Sequence, residues 1–308
     1  MAGSSSPSLD CLVVGAGPAG LTAAIYLARF RLRVEIIDAG KSRAAMITCT
    51  HNHPGYPGGI AGKDLLARMR EQAEGFGVRV REDFVEALNI EDGGFSACLD
   101  GETLSARKVL LATGVVNTRP RIAPEIHDVA LERGLLRYCP ICDGYEVTDK
   151  RIAVIGSSTH GANEAIFLRA YSADVTLIAP DGGHALDDRD RARLAQAQVV
   201  LRDGPCAPLS IIEDRIHLLV PHETLTFDTI YPALGSEIRS ELAVKLGAST
   251  SRDGCLTVDA HQRTSVAGLY AAGDVTRGLD QISNAMGQAG VAATTIRNDL
   301  AAEEPLLR

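Results

Sequence analysis

The stretch that decides the fold is Leu9-Asp10-Cys11-Leu12-Val13-Val14-Gly15-Ala16-Gly17-Pro18-Ala19-Gly20. A short apolar run ends in a Gly-x-Gly-x-x-Gly turn, and apolar residues at helical spacing follow from residue 21. In such a turn Gly15 makes the sharp bend, Gly17 lets the backbone approach a pyrophosphate, and Gly20 allows close helix packing. Pro18 and Ala19 open the helix, whose N-terminal N–H groups attract negative charge.

A second strand, Val34–Asp38, is predicted after this helix. Asp38 ends that strand and is placed to accept a ribose hydroxyl. Strand, glycine turn, helix, strand and acid in this order predict a dinucleotide site. An ordinary glycine-rich turn would explain the order less well.

Two later segments carry the same kind of signal, Val109-Leu110-Leu111-Ala112-Thr113-Gly114 and Gly268-Leu269-Tyr270-Ala271-Ala272-Gly273-Asp274-Val275. Together with the opening glycines they resemble the three FAD fingerprints of flavoproteins with two dinucleotide-binding domains. The resemblance implies FAD contacts at Ala112, Thr113, Gly114 and Gly273, and it implies that Asp274 holds the ribityl chain.

Residues 281–293 resemble the helix of those flavoproteins whose N-terminus points at the flavin pyrimidine. The resemblance implies that Gln288 and Ala289 place backbone N–H groups near flavin N1 and O2, where the helix dipole stabilises negative charge. The alternative is a helix whose small residues serve only close packing.

The most informative stretch for chemistry is Arg137-Tyr138-Cys139-Pro140-Ile141-Cys142-Asp143-Gly144. Two cysteines separated by two residues can close a disulfide, and a basic neighbour such as Arg137 favours the attacking thiolate. Asp143 could give or take the accompanying proton. Half of a zinc site is the competing interpretation, but the sequence has no second pair of ligands at suitable spacing, so no metal is predicted.

Cys-x-x-Cys-Asp-Gly followed by a second glycine turn is similar to the low-molecular-weight thioredoxin reductase family, and the resemblance extends over residues 9–300. It implies that Cys142 faces the flavin C4a, that Cys139 meets the partner, and that Asp143 is the acid/base. His51-Asn52-His53-Pro54-Gly55 matches an Asn-x-Pro-Gly element of the family, which implies an FAD contact at Asn52.

The central region departs from that family. Its second glycine turn is Gly156-Ser157-Ser158-Thr159-His160-Gly161, with Ser158 where a glycine would approach a pyrophosphate. After the next strand the family has basic residues for the NADPH 2′-phosphate, whereas this chain has Asp181, which would repel it. The sequence therefore disfavours NADPH. Asp181 suits a bare ribose hydroxyl or a solvent-facing turn.

The flavin side departs too, because Lys41-Ser42-Arg43 replaces a Gly-Gly-Gln of the family. Arg43 either lies near the flavin or its phosphates, where it would favour reduced anionic flavin, or is an exposed loop residue. We also expect that the central pocket, if it has lost NADPH, could hold a second nucleotide or flavin.

These patterns predict an α/β protein with two Rossmann-like dinucleotide-binding domains, the second inserted in the first. The expected boundaries are an FAD domain at residues 1–116 and 241–308, and a central redox domain at residues 117–240. The resemblance implies rotation of one domain on the other and a homodimer.

Composition narrows the remaining classes. A net charge of −8 makes nucleic acid an unlikely partner, and the absence of a signal-like start or a long apolar run predicts a cytoplasmic protein without membrane attachment. The leading hypothesis is an FAD-dependent disulfide/dithiol oxidoreductase without NADPH, similar also to thiol oxidases, whose electron donor or acceptor the sequence does not name. Its partner would be a thioredoxin-like protein or a small dithiol. The alternatives are an NADPH-dependent thioredoxin reductase and a flavin-binding redox sensor.

Overall fold

The computed structural model describes residues 9–307, except the side chains of residues 207–209. Residues 1–8, on which the expectation about the start of the chain depends, and residue 308 lie outside this range. The strands are β1 (Leu9–Val14), β2 (Val34–Asp38), β3 (Arg79–Glu82), β4 (Ala87–Glu91), β5 (Gly94–Leu99), β6 (Glu102–Leu111), β7 (Val115–Asn117), β8 (Ile152–Ile155), β9 (Val175–Ile178), β10 (Val200–Arg202), β11 (Ala207–Ile212), β12 (Arg215–Val220), β13 (Glu223–Phe227), β14 (Thr229–Pro232), β15 (Ser236–Ile238) and β16 (Leu269–Ala271). The helices are α1 (Pro18–Arg29), α2 (Gly62–Gly75), α3 (Pro124–Glu132), α4 (Pro140–Asp143), α5 (Thr159–Leu168), α6 (Asp188–Gln196), α7 (Glu241–Lys245) and α8 (Ile282–Glu303).

The first sheet is built around β1, which pairs in parallel with β2 on one side and β6 on the other. Its parallel part runs in the order β3-β2-β1-β6-β16, and β5 and β4 continue from β6 in antiparallel pairing. Cys11 and Val13 point into a core shared with α1, α2 and α8, whereas Leu12 and Val14 point into a core on the opposite face. Burial on both faces explains why β1 is a continuous apolar run rather than an alternating one.

A second parallel sheet, in the order β10-β9-β8-β14, repeats the arrangement. Val154 and Leu177 pack with α5 on one face, while Ala153 and Ile178 pack on the other face with α3 and the antiparallel sheet β11-β12-β13. Both sheets therefore have the strand order of a Rossmann half, 3-2-1-4. This confirms the predicted fold class.

The chain leaves the first sheet after β6 and returns to it at β16, so the second sheet lies between these strands in sequence. The two crossings meet in an antiparallel ribbon of β7 and β15, in which Asn117 is opposite Ser236. Backbone hydrogen bonds continue the ribbon at both ends, from Thr118 N–H to the Gly235 carbonyl (2.9 Å) and from Arg239 N–H to the Gly114 carbonyl (3.1 Å). Within residues 9–307, no helix has both the length and the apolar character needed to cross a membrane.

The packing of α1 on the first glycine turn depends on Gly20. A Cβ at this position would lie 1.8 Å from the carbonyl oxygen of Gly15 and 3.3 Å from the Ala112 Cβ. No rotation of a side chain relieves an overlap with backbone. The helix can therefore approach the turn this closely only with a glycine at residue 20.

We expect Gly20→Ala to destabilise the protein by about 3 kcal/mol or more, because α1 must move away from the turn. Gly287→Ala is the matched control, since Gly287 is also helical but nothing lies within 4 Å of its added Cβ. That control should gain about 0.5–1 kcal/mol from helix propensity. Thermal and urea unfolding of both variants measures the difference. Equal stabilities would contradict the assigned role of Gly20.

Candidate active site

The first glycine turn leaves the beginning of α1 open. Gly15 has φ +104°, Pro18 occupies the first helical turn, and the N-cap residue Gly17 has no side chain to pair with the N–H groups that follow. Asp38, at the end of β2, accepts hydrogen bonds from the backbone N–H groups of Ala16 (2.8 Å) and Gly40 (3.1 Å). Each carboxylate oxygen has a second lone pair, so Asp38 can still accept a ribose hydroxyl.

A cavity of about 600 Å³ lies at the carboxyl ends of the strands of the first sheet and reaches the Cys-x-x-Cys segment. Its volume is in the range of cofactor sites, about 300–1,000 Å³. Most residues predicted from the sequence line it: Gly15, Gly17, Pro18, Ala19, Asp38, Arg43, Asn52, Ala112, Thr113, Gly114, Cys139, Cys142, Asp143, Gly273 and Asp274.

Gly20, Gln288 and Ala289 do not line the cavity. Gly20 serves helix packing, as predicted, whereas for Gln288 and Ala289 the structure corrects the sequence prediction. The helix begins at Ile282, so the N–H groups of Gln288 and Ala289 lie inside it, beyond its first turn, and neither residue lines the cavity. The Gln288 side chain instead accepts hydrogen bonds from Gly273 N–H (2.8 Å) and the Thr276 hydroxyl (3.3 Å). Ala289 is fully buried in the core. Gln281 and Ile282, at the start of the helix, line the cavity in their place.

Arg43 binds two carboxylates at the cavity wall. Its Nη1 lies 3.0 Å from Asp274 Oδ2 and 3.0 Å from Asp280 Oδ2, and only 23% of its side chain is exposed. Of the two alternatives for Arg43, the position is that of a cavity residue and not of an exposed loop. Burial, followed by the charge of Asp274, raises the pKa of Asp280. Sequence reasoning missed Asp280, whose partner Arg43 is 237 residues away.

The segment from Arg137 to Gly144, called the redox segment below, contains the short helix α4. Cys139 is the N-cap of α4, its Sγ accepts a hydrogen bond from Cys142 N–H (3.2 Å), and a disulfide joins the two cysteines. Gln281 Nε2 lies 3.2 Å from Cys142 Sγ and 3.4 Å from Cys139 Sγ. Among residues 9–307 no group of three or more His, Cys, Asp or Glu side chains is arranged to hold a metal ion.

Asp143 is held from two sides. Arg137 Nη1 donates to Asp143 Oδ2 (3.0 Å), and the Tyr231 hydroxyl donates to Oδ1 (2.8 Å). Residues 135–137 run beside β14, because Ile230 N–H bonds the Leu135 carbonyl and Arg137 N–H bonds the Ile230 carbonyl, each at 2.9 Å. This pairing brings Arg137 and Tyr231 to the same carboxylate.

Burial raises the pKa of Asp143 above its usual value, and the nearby charge of Glu146 acts in the same direction. The charge and hydrogen bond of Arg137 and the hydrogen bond of Tyr231 oppose the rise. Burial likewise raises the pKa of Tyr138, next to Cys139, to about 12. The Tyr138 hydroxyl lies 2.8 Å from Nε2 of the buried His127. A largely buried carboxyl group thus directly follows Cys142 in the chain and lines the same cavity.

The second glycine turn lies in the central domain. Ser158 is the N-cap of α5, and its side chain makes no capping hydrogen bond. Ala185 N–H donates to the Ser157 carbonyl (2.7 Å), so the segment after β9 is hydrogen-bonded to the turn. Asp181 forms an ion pair with Arg121 (2.9 Å), and both side chains are mostly exposed.

Comparison with known proteins identifies the family. The model of the pyridine nucleotide-disulphide oxidoreductases matches residues 9–289. The chain belongs to this family. It is a thioredoxin reductase-like flavoprotein, as the similar proteins indicate. A thioredoxin reductase from Mycolicibacterium smegmatis is 31% identical in an alignment of 282 positions that covers 86% of this chain and 88% of the relative.

Two solved structures support the same assignment. The thioredoxin reductase of Streptococcus pyogenes superposes with a TM-score of 0.88 at 26% identity, over 96% of this chain and 99% of that one. The protein HlmI superposes with a TM-score of 0.86 at 31% identity, over 96% of this chain and 94% of that one. The flavoprotein fold therefore includes both Rossmann-like units.

The residues present fit an FAD. The open N-terminus of α1 offers uncapped N–H groups to a pyrophosphate, and Asp38 and Asp274 offer carboxylates for hydroxyl groups along the cavity. Cys142 lies at the same cavity, as a flavin that exchanges electrons with a disulfide requires.

Two substitutions should move the pKa of Asp143 in opposite directions. Tyr231→Phe removes a hydrogen bond that favours the carboxylate, so the pKa should rise, whereas Glu146→Gln removes a like charge and should lower it. The pH dependence of flavin reduction by a dithiol measures this, because its acid limb should move to higher pH in Tyr231→Phe and to lower pH in Glu146→Gln. Shifts of the same sign, or none, would contradict the role of Asp143.

Proposed function

We propose that this flavoprotein transfers two electrons between FAD and the Cys139–Cys142 disulfide, and between that pair and a dithiol or disulfide partner, without NADPH as the electron donor. The carrying observation is that both cysteines line the same cavity as the three predicted FAD segments. FAD, when bound, supplies a two-electron acceptor and donor. The direction of transfer follows from the potential of the partner relative to the flavin.

The residues of the redox segment have separate tasks in this proposal. Cys139 forms a mixed disulfide with the partner. When the partner is reduced, Cys142 attacks this mixed disulfide and forms the Cys139–Cys142 disulfide; when the partner is oxidised, the steps run in reverse. Asp143 gives a proton to the thiolate that leaves, or takes one from the thiol that attacks. Its raised pKa brings the carboxyl group closer to the pH at which it can do both. Arg137 and Tyr231 hold the carboxylate in position.

Three features of the central domain support a reaction without NADPH. Ser158 puts a side chain where a glycine would let a pyrophosphate approach the backbone. The hydrogen bond from Ala185 N–H to the Ser157 carbonyl ties the following loop to that turn. Asp181 puts a negative charge at the end of β9, where a 2′-phosphate needs a basic group. A second nucleotide or flavin without a 2′-phosphate could bind in this domain without being repelled by Asp181.

An NADPH-dependent thioredoxin reductase is the second candidate, and one observation favours it. Arg121 pairs with Asp181 at 2.9 Å, so a guanidinium is present near the strand end and could turn to a 2′-phosphate. We nevertheless favour the first proposal, because an exposed pair leaves the Asp181 carboxylate beside any bound phosphate.

The partner in this proposal is a thioredoxin-like protein or a small dithiol, and the protein works as a homodimer in the cytoplasm. A protein-sized partner can reach Cys139 only if the central domain rotates and moves the disulfide out of the cavity. The similar thioredoxin reductases support this choice of partner.

We expect a dithiol, but not NADPH, to bleach the flavin of the purified protein in an anaerobic titration. Cys142→Ser and Cys139→Ser should retain bound FAD and lose this reduction by at least about a thousandfold, because no disulfide remains to receive the electrons. Cys98→Ser is the matched control, since Cys98 is a free cysteine outside the cavity. Absorbance of the flavin follows the reaction.

Other results of the titration would favour a different function or refute the assigned cysteines. Rapid bleaching by NADPH would establish the second candidate. A Cys142→Ser variant that is reduced as fast as the parent would refute the assigned redox pair. Reduction in one turnover with no catalytic cycle, for any dithiol or disulfide offered, would favour a flavin-binding redox sensor.

A further inference from the structure

Gln281 connects the FAD-binding part of the chain to the redox disulfide. Its side-chain amide lies within hydrogen-bonding distance of both sulfur atoms, 3.2 Å from Cys142 and 3.4 Å from Cys139. Gln281 directly precedes α8, which packs on α1, whereas the cysteines precede the second sheet. The contact therefore exists only while the disulfide lies in the cavity.

The chemistry of the neighbours fixes which end of the amide faces the sulfur atoms. A disulfide has no hydrogen to donate, so only the NH₂ group of Gln281 can form hydrogen bonds with it. The carbonyl end, Oε1, then accepts from Asn52 Nδ2 (2.9 Å), and Asn52 Oδ1 accepts from the Thr50 hydroxyl (2.9 Å). This chain of hydrogen bonds directs the NH₂ group of Gln281, rather than its carbonyl oxygen, at the sulfur atoms.

The side chain has no separate structural task at the helix end. Gln281 is the N-cap residue of α8, yet its side chain makes no capping hydrogen bond. It is partly exposed and is not part of the hydrophobic core. Its contacts are the two sulfur atoms and Asn52.

We propose that Gln281 is a catalytic residue that stabilises the thiolates formed when the Cys139–Cys142 disulfide is reduced in the cavity. This proposal rests on the proposed function. Two electrons, from bound reduced FAD or from a partner dithiol that becomes a disulfide, break the S–S bond and leave one pair on each sulfur atom. A thiolate accepts a hydrogen bond more strongly than a neutral disulfide sulfur does, so the amide favours the reduced pair.

Other ionisable groups also act on these thiolates, and the test must hold them constant. They come from the redox segment and the residues just after it, from β14, from the segment before α8 and from the loops at residues 41–53. They are Arg137, Tyr138, Asp143, Glu146, Tyr231, Asp274, Asp280, Lys41, Arg43 and His53. Substitution of the uncharged Gln281 by Leu changes none of these charges.

The experiment is alkylation of the reduced, FAD-containing protein by iodoacetamide across a pH series, with mass spectrometry to assign Cys139 and Cys142. We expect Gln281→Leu to raise the midpoint of thiolate formation by about one pH unit, which is about a tenfold smaller thiolate fraction below the midpoint. Gln281→Glu, of nearly the same shape, should raise it at least as far, because a carboxylate repels a thiolate. Ser283→Ala, at the same helix end, should leave it unchanged, since Ser283 contacts His53 and not the sulfur atoms.

An alkylation profile that Gln281→Leu and Gln281→Glu leave unchanged would overturn the proposal, whatever the flavin does. Failure of the proposed function has a different signature, because the parent protein itself would then show no flavin reduction by a dithiol. Should Gln281→Leu lose FAD, Gln281→Glu carries the test. Asn52→Leu releases the carbonyl end of the amide and should shift the midpoint in the same direction by a smaller amount.

Discussion

The close contact between Gly20 and the Gly15 carbonyl determines how α1 meets the turn after β1, and the cavity depends on it. With α1 at this distance, the uncapped N–H groups of its first turn face the edge at which the strands of the parallel sheet end. Asp38 ends β2 at that edge, Ala112 and Thr113 follow β6, and Gly273 follows β16. Parallel strands end together, so residues far apart in sequence reach one ligand.

The redox segment is attached to a different sheet, and this separates the tasks of the two domains. Residues 135–137 extend along β14, and this pairing holds Arg137 and Tyr231 on Asp143. In the proposed rotation of the central domain, these groups would move together. Gln281 stays with the first domain. The acid/base group would thus travel with the cysteines, whereas the amide that contacts them would remain at the cavity.

The sequence could predict those parts of the site that are formed by short, continuous segments. The glycine turn and the Cys-x-x-Cys pair are short segments whose spacing is itself the constraint. The helix itself was predicted at residues 281–293, close to its observed start at Ile282, but the N–H groups facing the flavin were assigned to Gln288 and Ala289, a full turn or more too far along. Its N-cap, Gln281, is not among the usual capping residues, and small residues continue through the helix interior. Tyr231 and Gln281 were missed because their partners lie 88 and 139 residues away, and no sequence pattern records such contacts.

The two partners of Asp143 differ in how they can respond to a proton. Arg137 is only a donor, so Oδ2 must keep a lone pair directed at it in both protonation states. The Tyr231 hydroxyl can rotate and change from donor to acceptor, so a proton is accommodated at Oδ1 without loss of either hydrogen bond. A buried carboxyl group that can change its charge without losing a partner avoids the cost of an unsatisfied polar atom. In the proposed function, the exchangeable proton of Asp143 would therefore lie on its Tyr231 side.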